Sequence, residues 1–139
     1  MPSGLVIEPV SDADVPALAE LWRRRKLTVP YNDPVDDIAF ARGQANSDVL
    51  VGRLGEKLVA SVMVGHDGHR GWLYYVAVDP DERKSGFGAE IVRGGEDWLR
   101  VRNVRKSMLL IRDTNTAVRA FYERIGYEVA PRTVMQRWL

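Results

Sequence analysis

Apolar residues along the chain alternate between a period of about two and one of about 3.6, and those switches divide it into elements. Residues 5–10 (LVIEPV) read as a first strand, closed by Pro9 and the turn-forming Ser11-Asp12. Val15, Leu18, Leu21 and Trp22 then fall on one helical stripe, with Asp12 and Asp14 favouring the helix start. Arg23-Arg24-Arg25-Lys26 closes that helix, and the run reads as a solvated helix terminus more readily than as a phosphate site. A weaker helix begins at Asp33-Pro34, an acidic cap followed by proline at the first helical position. Residues 49–54, a Gly55-Glu56 turn and residues 57–64 predict a hairpin, followed by a polar, glycine-rich loop over 65–71.

The segment 72–78 (WLYYVAV) is apolar on both faces and predicts a central strand. A long helix follows from about Gly88 to Arg102, with Ile91, Val92, Trp98 and Leu99 as its buried stripe. Gly94-Gly95 inside it costs about 1 kcal/mol per glycine, which predicts close packing or a bend there. Residues 107–111 (SMLLI) read as a buried strand, and 115–125 as a helix with Val118, Phe121, Tyr122 and Ile125 on one face and Gly126 as its left-handed cap. Two short closing strands are expected at 127–130 and 133–139. The order of elements predicts an α/β (α+β) fold with at least one parallel βαβ unit, in one domain over residues 1–139.

Composition narrows the chemistry. The chain has no cysteine, which excludes a disulfide scaffold, a thiolate metal site and a thiol nucleophile. Two histidines, His66 and His69, make a metal site an unfavoured reading. The net charge of +1 argues against a nucleic-acid module built on residues 23–26 and 100–106. The start of the chain lacks a signal-peptide pattern, and its longest mostly apolar stretch, 58–64, is far short of the roughly 18 residues a membrane helix needs. A cytoplasmic protein with no membrane and no nucleic-acid partner is the expectation.

The segment from Val78 to Ala89 joins a buried strand to a helix. Glycines at 86 and 88 free the backbone to turn, so that consecutive N–H groups and the helix start make an anion cradle suited to a phosphate or pyrophosphate. A Walker loop is excluded, because no glycine is followed by lysine. A dinucleotide fingerprint is excluded too, because Ile91 stands where its third glycine would be.

The whole string, Val78-x-Pro80 with Arg83-x-x-Gly86-x-Gly88, resembles the acetyl-CoA pyrophosphate loop of the GNAT N-acetyltransferase superfamily. That superfamily's second motif follows as Asn115-x-x-Val118-x-x-x-Tyr122-x-x-x-Gly126-Tyr127. Residues 31–34 (YNDP) and 67–71 (DGHRG) are similar to segments of the bacterial YpeA-like acetyltransferases.

The resemblance implies a mixed sheet of about six to seven strands with about four helices and a splayed parallel strand pair. It implies acetyl-CoA as co-substrate, with the pantetheine arm bonded to backbone of Val76, Ala77 and Val78. The pyrophosphate would lie on Arg83, Lys84, Ser85, Gly86, Phe87, Gly88 and Ala89, with Lys84 or Arg119 near the 3′-phosphate. Tyr122 matches the family tyrosine that protonates the departing thiolate, against a plain reading as a core tyrosine. Asn115 caps its helix, bonds the cofactor, or does both.

The reaction implied is direct attack of a primary amine on the thioester, with a CoA-binding module without turnover as the alternative. The general base stays open. Relatives acting on ribosomal-protein N-termini carry a glutamate five residues before the motif asparagine, where Leu110 stands here. Asp33, Asp67, His66 and His69 are the candidates left. Tyr31, Asp33, Asp67 and His69 are the expected acceptor-binding residues, and the carboxylates of Asp33, Asp36 and Asp37 suit a cationic amine. A homodimer is a further expectation from relatives that pair.

Overall fold

A computed structural model of the chain describes residues 4–82 and 85–139. In chain order these form β1 (Leu5–Pro9), α1 (Val15–Arg24), α2 (Pro34–Ala41), β2 (Ser47–Leu54), β3 (Lys57–His66), β4 (Gly71–Val78), α3 (Phe87–Val101), β5 (Ser107–Leu109) and α4 (Thr116–Arg124). One sheet carries the strands in the order β1-β2-β3-β4-β5. Neighbours run antiparallel except β4 and β5, which run parallel and are connected through α3. Two compact units result: the sheet with α1–α3, up to Leu109, and the segment Leu110–Leu139 around α4.

Each face of the sheet has its own cover. On one, Leu18, Leu21 and Trp22 of α1 and Ile38 and Ala41 of α2 pack with Val49, Val51 and Ala77. On the other lies α3, with Ile91, Val92 and Leu99 buried. The Gly94-Gly95 pair explains how closely α3 approaches. A Cβ on Gly94 would meet the Ile7 side chain at 3.1 Å, and one on Gly95 would meet Leu73 at 3.0 Å. The close packing expected there is against strand side chains, and no bend is needed.

Ahead of α1, the Asp14 carboxylate accepts from the Ser11 N–H (2.8 Å) and Oγ (2.9 Å), and Arg53 of β2 donates to the same oxygen. The Arg53 bond, with those of Ser11, outweighs burial and lowers the Asp14 pKa to about 2. Arg53 also pairs with Glu8, so one guanidinium ties β1, β2 and the α1 start together.

Three expectations need correction. The described residues hold five strands, fewer than the six to seven implied. No strand forms at 127–130 or 133–139. Their apolar residues favour extended backbone, but a strand is stabilised by cross-strand partners, and Val129, Val134 and Met135 are exposed without a ladder among the described residues. Pro131 also lacks an N–H to donate. The 107–111 strand stops at Leu109, because its pairing with β4 covers only Gly71↔Ser107, Trp72↔Met108 and Leu73↔Leu109. Among the described residues no helix is long and apolar enough to cross a membrane.

Candidate functional site

The short parallel pairing creates the feature on which the site rests. From Tyr74 onward, no strand among the described residues pairs with β4 on its β5 side, while β3 stays paired on the other. The register between β3 and β4 shifts between Ser61 and Met63, where two steps of β3 oppose three of β4. The additional residue is a bulge in β4 around Tyr75 and Val76. Tyr75 has φ +50°, a conformation costing about 1–3 kcal/mol for a residue with a Cβ unless its surroundings enforce it. After the bulge, the Asp79 N–H donates to the Val59 carbonyl (2.7 Å). Strand alternation then turns the N–H groups of Val78 and Val76 to the open edge. Ala77 is buried among the α1 and α2 side chains.

The surroundings of Tyr75 hold it on three sides. Its ring stacks on Trp22 at 3.8 Å between centroids, and its hydroxyl donates to Asp37 Oδ2 (2.7 Å). Its carbonyl accepts from Ser61 Oγ (2.9 Å), and that oxygen in turn accepts from Trp22 Nε1 (2.9 Å). Burial, then the Asp37 carboxylate, push the Tyr75 phenol well above its ordinary value, so it stays a donor.

At the C-terminal end of β4 the chain enters the glycine loop through Asp79, only 2 % exposed. Its carboxylate accepts the Asp81 N–H (2.9 Å) and Arg24 Nη2 (2.6 Å), with Lys57 Nζ at 3.9 Å. Burial alone would raise this carboxyl, but the Asp81 N–H and Arg24 more than offset it and hold it below the ordinary range. Arg24 is therefore not part of a uniformly solvated run. The Asp79 carbonyl accepts from the Glu82 N–H (2.8 Å), and the Glu82 carbonyl from the Ser85 N–H (3.2 Å). Arg83 and Lys84 lie outside the described residues.

Gly86 then caps α3 with φ +79° and no side-chain capping bond. A Cβ there would meet nothing within 4 Å, so glycine is required for its backbone angle. The opening N–H groups of α3, at Phe87, Gly88 and Ala89, have no carbonyl within the helix to bond. With Ser85 exposed beside them and the positive end of the helix behind, these donors fit an anionic diphosphate.

The expected acceptor-side residues fall into two groups. Asp33 caps α2, its Oδ1 accepting from the Val35 N–H (2.8 Å), and Tyr31 is 67 % exposed. Asp67 folds its own loop, accepting from the N–H groups of His69 (2.9 Å) and Arg70 (2.7 Å) and from Trp72 Nε1 (3.3 Å). Those bonds, the Arg70 N–H first, lower its pKa. His66 Nδ1 accepts from the Gly68 N–H (3.2 Å), a loop-forming role, and His69 is exposed. Sequence reading passed over Tyr75, Trp22 and Ser61. Their connection spans 39 residues between Trp22 and Ser61, and no local pattern carries it.

In the second unit, Asn115 Oδ1 accepts from the Val118 N–H (3.2 Å), so Asn115 is the α4 cap. Tyr122 is buried, with Phe121 and Tyr127 edge-on at 5.0 and 5.6 Å. Burial pushes its phenol up to about 12. The Tyr122 carbonyl accepts from the Tyr127 N–H (2.9 Å), and Gly126 (φ +102°) provides the left-handed turn this closure needs.

Among the described residues, β4 has no strand beside it beyond Leu73 on its β5 side, and α3 opens with N–H groups that have no acceptor within the helix, an arrangement that can hold an anionic group and an extended chain. Residues 15–127 match the model of the acetyltransferase (GNAT) family, and the chain belongs to that family. It is 38 % identical over 115 residues to an acetyltransferase of Pectobacterium atrosepticum, covering 83 % of this chain and 82 % of that one. In fold it is similar to AAC(6′)-Iy in complex with a bisubstrate analogue, CoA-S-monomethyl-acetylneamine (TM-score 0.81, 14 % identity, 97 % and 98 % of the two chains). It is also similar to the ribosomal-protein-S18-alanine N-acetyltransferase of Escherichia coli (TM-score 0.76, 24 % identity, 91 % and 79 %). The chain is an N-acetyltransferase.

Proposed function

We propose that the protein transfers an acetyl group from acetyl-CoA to a primary amine by direct attack on the thioester. The observation that carries this reading is that, among the described residues, no strand lies beside β4 beyond Leu73 on its β5 side, together with the opening N–H groups of α3, which have no acceptor within the helix. The co-substrate supplies an activated acyl group, and the residues of this chain bind and orient it. Backbone of Val76, Ala77 and Val78 lines the arm that carries the thioester, and the Val76 N–H polarises its carbonyl. Ser85 to Ala89, with the cations Arg83 and Lys84, hold the diphosphate, and Asn115 adds a contact while capping α4. The chain has no cysteine to carry an acyl group, which favours a single transfer step.

Tyr122 serves the leaving group. A phenol near 12 gives up its proton to a thiolate only uphill, a thiol having an ordinary pKa of about 8.5. Its contribution is a hydrogen bond to the developing thiolate, with solvent completing the protonation. On the acceptor side, Tyr31, Asp33, Asp67 and His69 line the approach of a cationic amine. Asp33 and Asp67 each commit carboxylate oxygen to local N–H groups; these carboxylates, with His66 and His69, are the groups that receive the proton the attacking amine loses, directly or through water.

The test is CoA release measured across amines, amino acids and N-terminal peptides, together with calorimetry of CoA on wild type and Gly86→Glu. Glutamate at 86 would place a side chain and a negative charge at the cradle. A saturable acceptor and lost CoA affinity in a folded variant are expected. A folded Gly86→Glu protein with wild-type CoA affinity overturns the assignment of the loop. CoA binding with no acceptor in the screen points to a binding module.

A further inference from the structure

Tyr75 is held in a left-handed conformation inside a strand, and four bonds or contacts converge to keep it there. Ser61 is the centre: fully buried, it accepts from Trp22 Nε1 and donates to the Tyr75 carbonyl. Trp22 closes a ring of contacts by stacking on Tyr75 at an interplanar angle of 6°. The Tyr75 hydroxyl donates to the Asp37 carboxylate on α2. The peptide that follows Tyr75 carries the Val76 N–H. A bulge held less tightly would let that peptide rotate, because the ladder on its β5 side has already ended.

We infer that Trp22, Ser61, Tyr75 and Asp37 form a positioning clamp for acyl transfer, which fixes the β4 bulge so that the Val76 N–H faces the open edge. None of the four needs to touch the reacting atoms. The clamp rests on the reading proposed above, in which that N–H polarises the thioester carbonyl. Through Asp37 it also ties α2 to the peptide that does so.

Two variants test it. Ser61→Ala removes the hydroxyl that bridges Trp22 and Tyr75, and Tyr75→Phe removes only the tie to Asp37 while keeping the stacked ring. Each is followed by kcat and KM for acetyl-CoA and by the NMR shift and hydrogen exchange of the Val76 amide in the protein without ligand. For Ser61→Ala, kcat should fall about tenfold or more, the scale of misplacing one preorganised group. KM for acetyl-CoA should stay within about twofold. The Val76 amide should shift and exchange faster. Tyr75→Phe should move both readouts the same way by less.

Unchanged kcat and an unmoved Val76 amide in folded Ser61→Ala overturn the clamp. If Ser61→Ala does not fold, unchanged readouts in Tyr75→Phe overturn it instead. The amide readout needs no turnover. Failure of the acyl-transfer reading would appear as absent CoA binding or absent turnover in the wild-type protein, separately from the Val76 amide readout, which reports on the bulge.

Discussion

Arg24 and Asp79 form an unequal pair, and the inequality sets which substitution costs more. The Asp79 side chain is 3 % exposed and that of Arg24 is 40 % exposed. In Arg24→Met the carboxylate stays buried, keeping the Asp81 N–H and only a distant Lys57, at 3.9 Å. A hydrogen bond to a charged group is worth about 1.5–3 kcal/mol, and orphaning a fully buried charge about 3–5 kcal/mol. With one N–H and one lysine remaining, about 2 kcal/mol is expected. In Asp79→Asn the Asp81 N–H keeps its acceptor and the released Arg24 turns into water, so about 1 kcal/mol is expected.

Urea unfolding of both variants at pH 7 measures the two costs, and each kcal/mol should also lower Tm by about 3–5 °C for a chain of this size. Acid adds a second axis. The folded-state pKa of Asp79 is lowered, so its stabilisation is present above the ordinary value and is lost as pH falls through the lowered one. The deficit of Arg24→Met should therefore shrink below about pH 4. A cost for Asp79→Asn equal to or above that of Arg24→Met at pH 7, with unchanged m-values, refutes the reasoning.

Tyr122→Phe keeps the ring between Phe121 and Tyr127 and removes the hydroxyl. If that hydroxyl serves the leaving group, turnover should fall by roughly ten- to a hundredfold, with stability changed by no more than about 1 kcal/mol; intact turnover with a lowered Tm returns Tyr122 to the core. Asp14 has a folded pKa of about 2, below its unfolded value of about 3.9. Its contribution, at most about 2.5 kcal/mol, is present above pH 4 and lost between about pH 4 and 2. An Asp14→Asn protein should show a flatter acid limb in pH-dependent unfolding, and an identical limb would remove Asp14 as its source.

The local geometry of the candidate site was legible in the chain where its determinants are local. Gly86 announces a positive φ, and the residues after it announce a helix start; both needs are met within a few positions of where they arise. Asn115 as a cap and Gly126 as a left-handed turn are decided in the same way, within one helical turn. The Gly94-Gly95 pair signalled a close approach, although not that Ile7 and Leu73 are what approach.

Only the tertiary structure chose partners across long separations. Arg24 looked like one cation among four, yet 55 positions later Asp79 takes it. Tyr75 looked like one aromatic in an apolar strand. Its unusual backbone is enforced by Trp22, Ser61 and Asp37, and those contacts exist only once two helices and a hairpin have packed. The closing strands failed for the converse reason. Residues 127–139 have strand-like composition, but pairing requires a partner edge in register, a property of the assembled sheet and not of the segment. Backbone angles, caps and apolar periods are short-range and can be read in line. Which charge meets which, and where a sheet ends, is settled by packing.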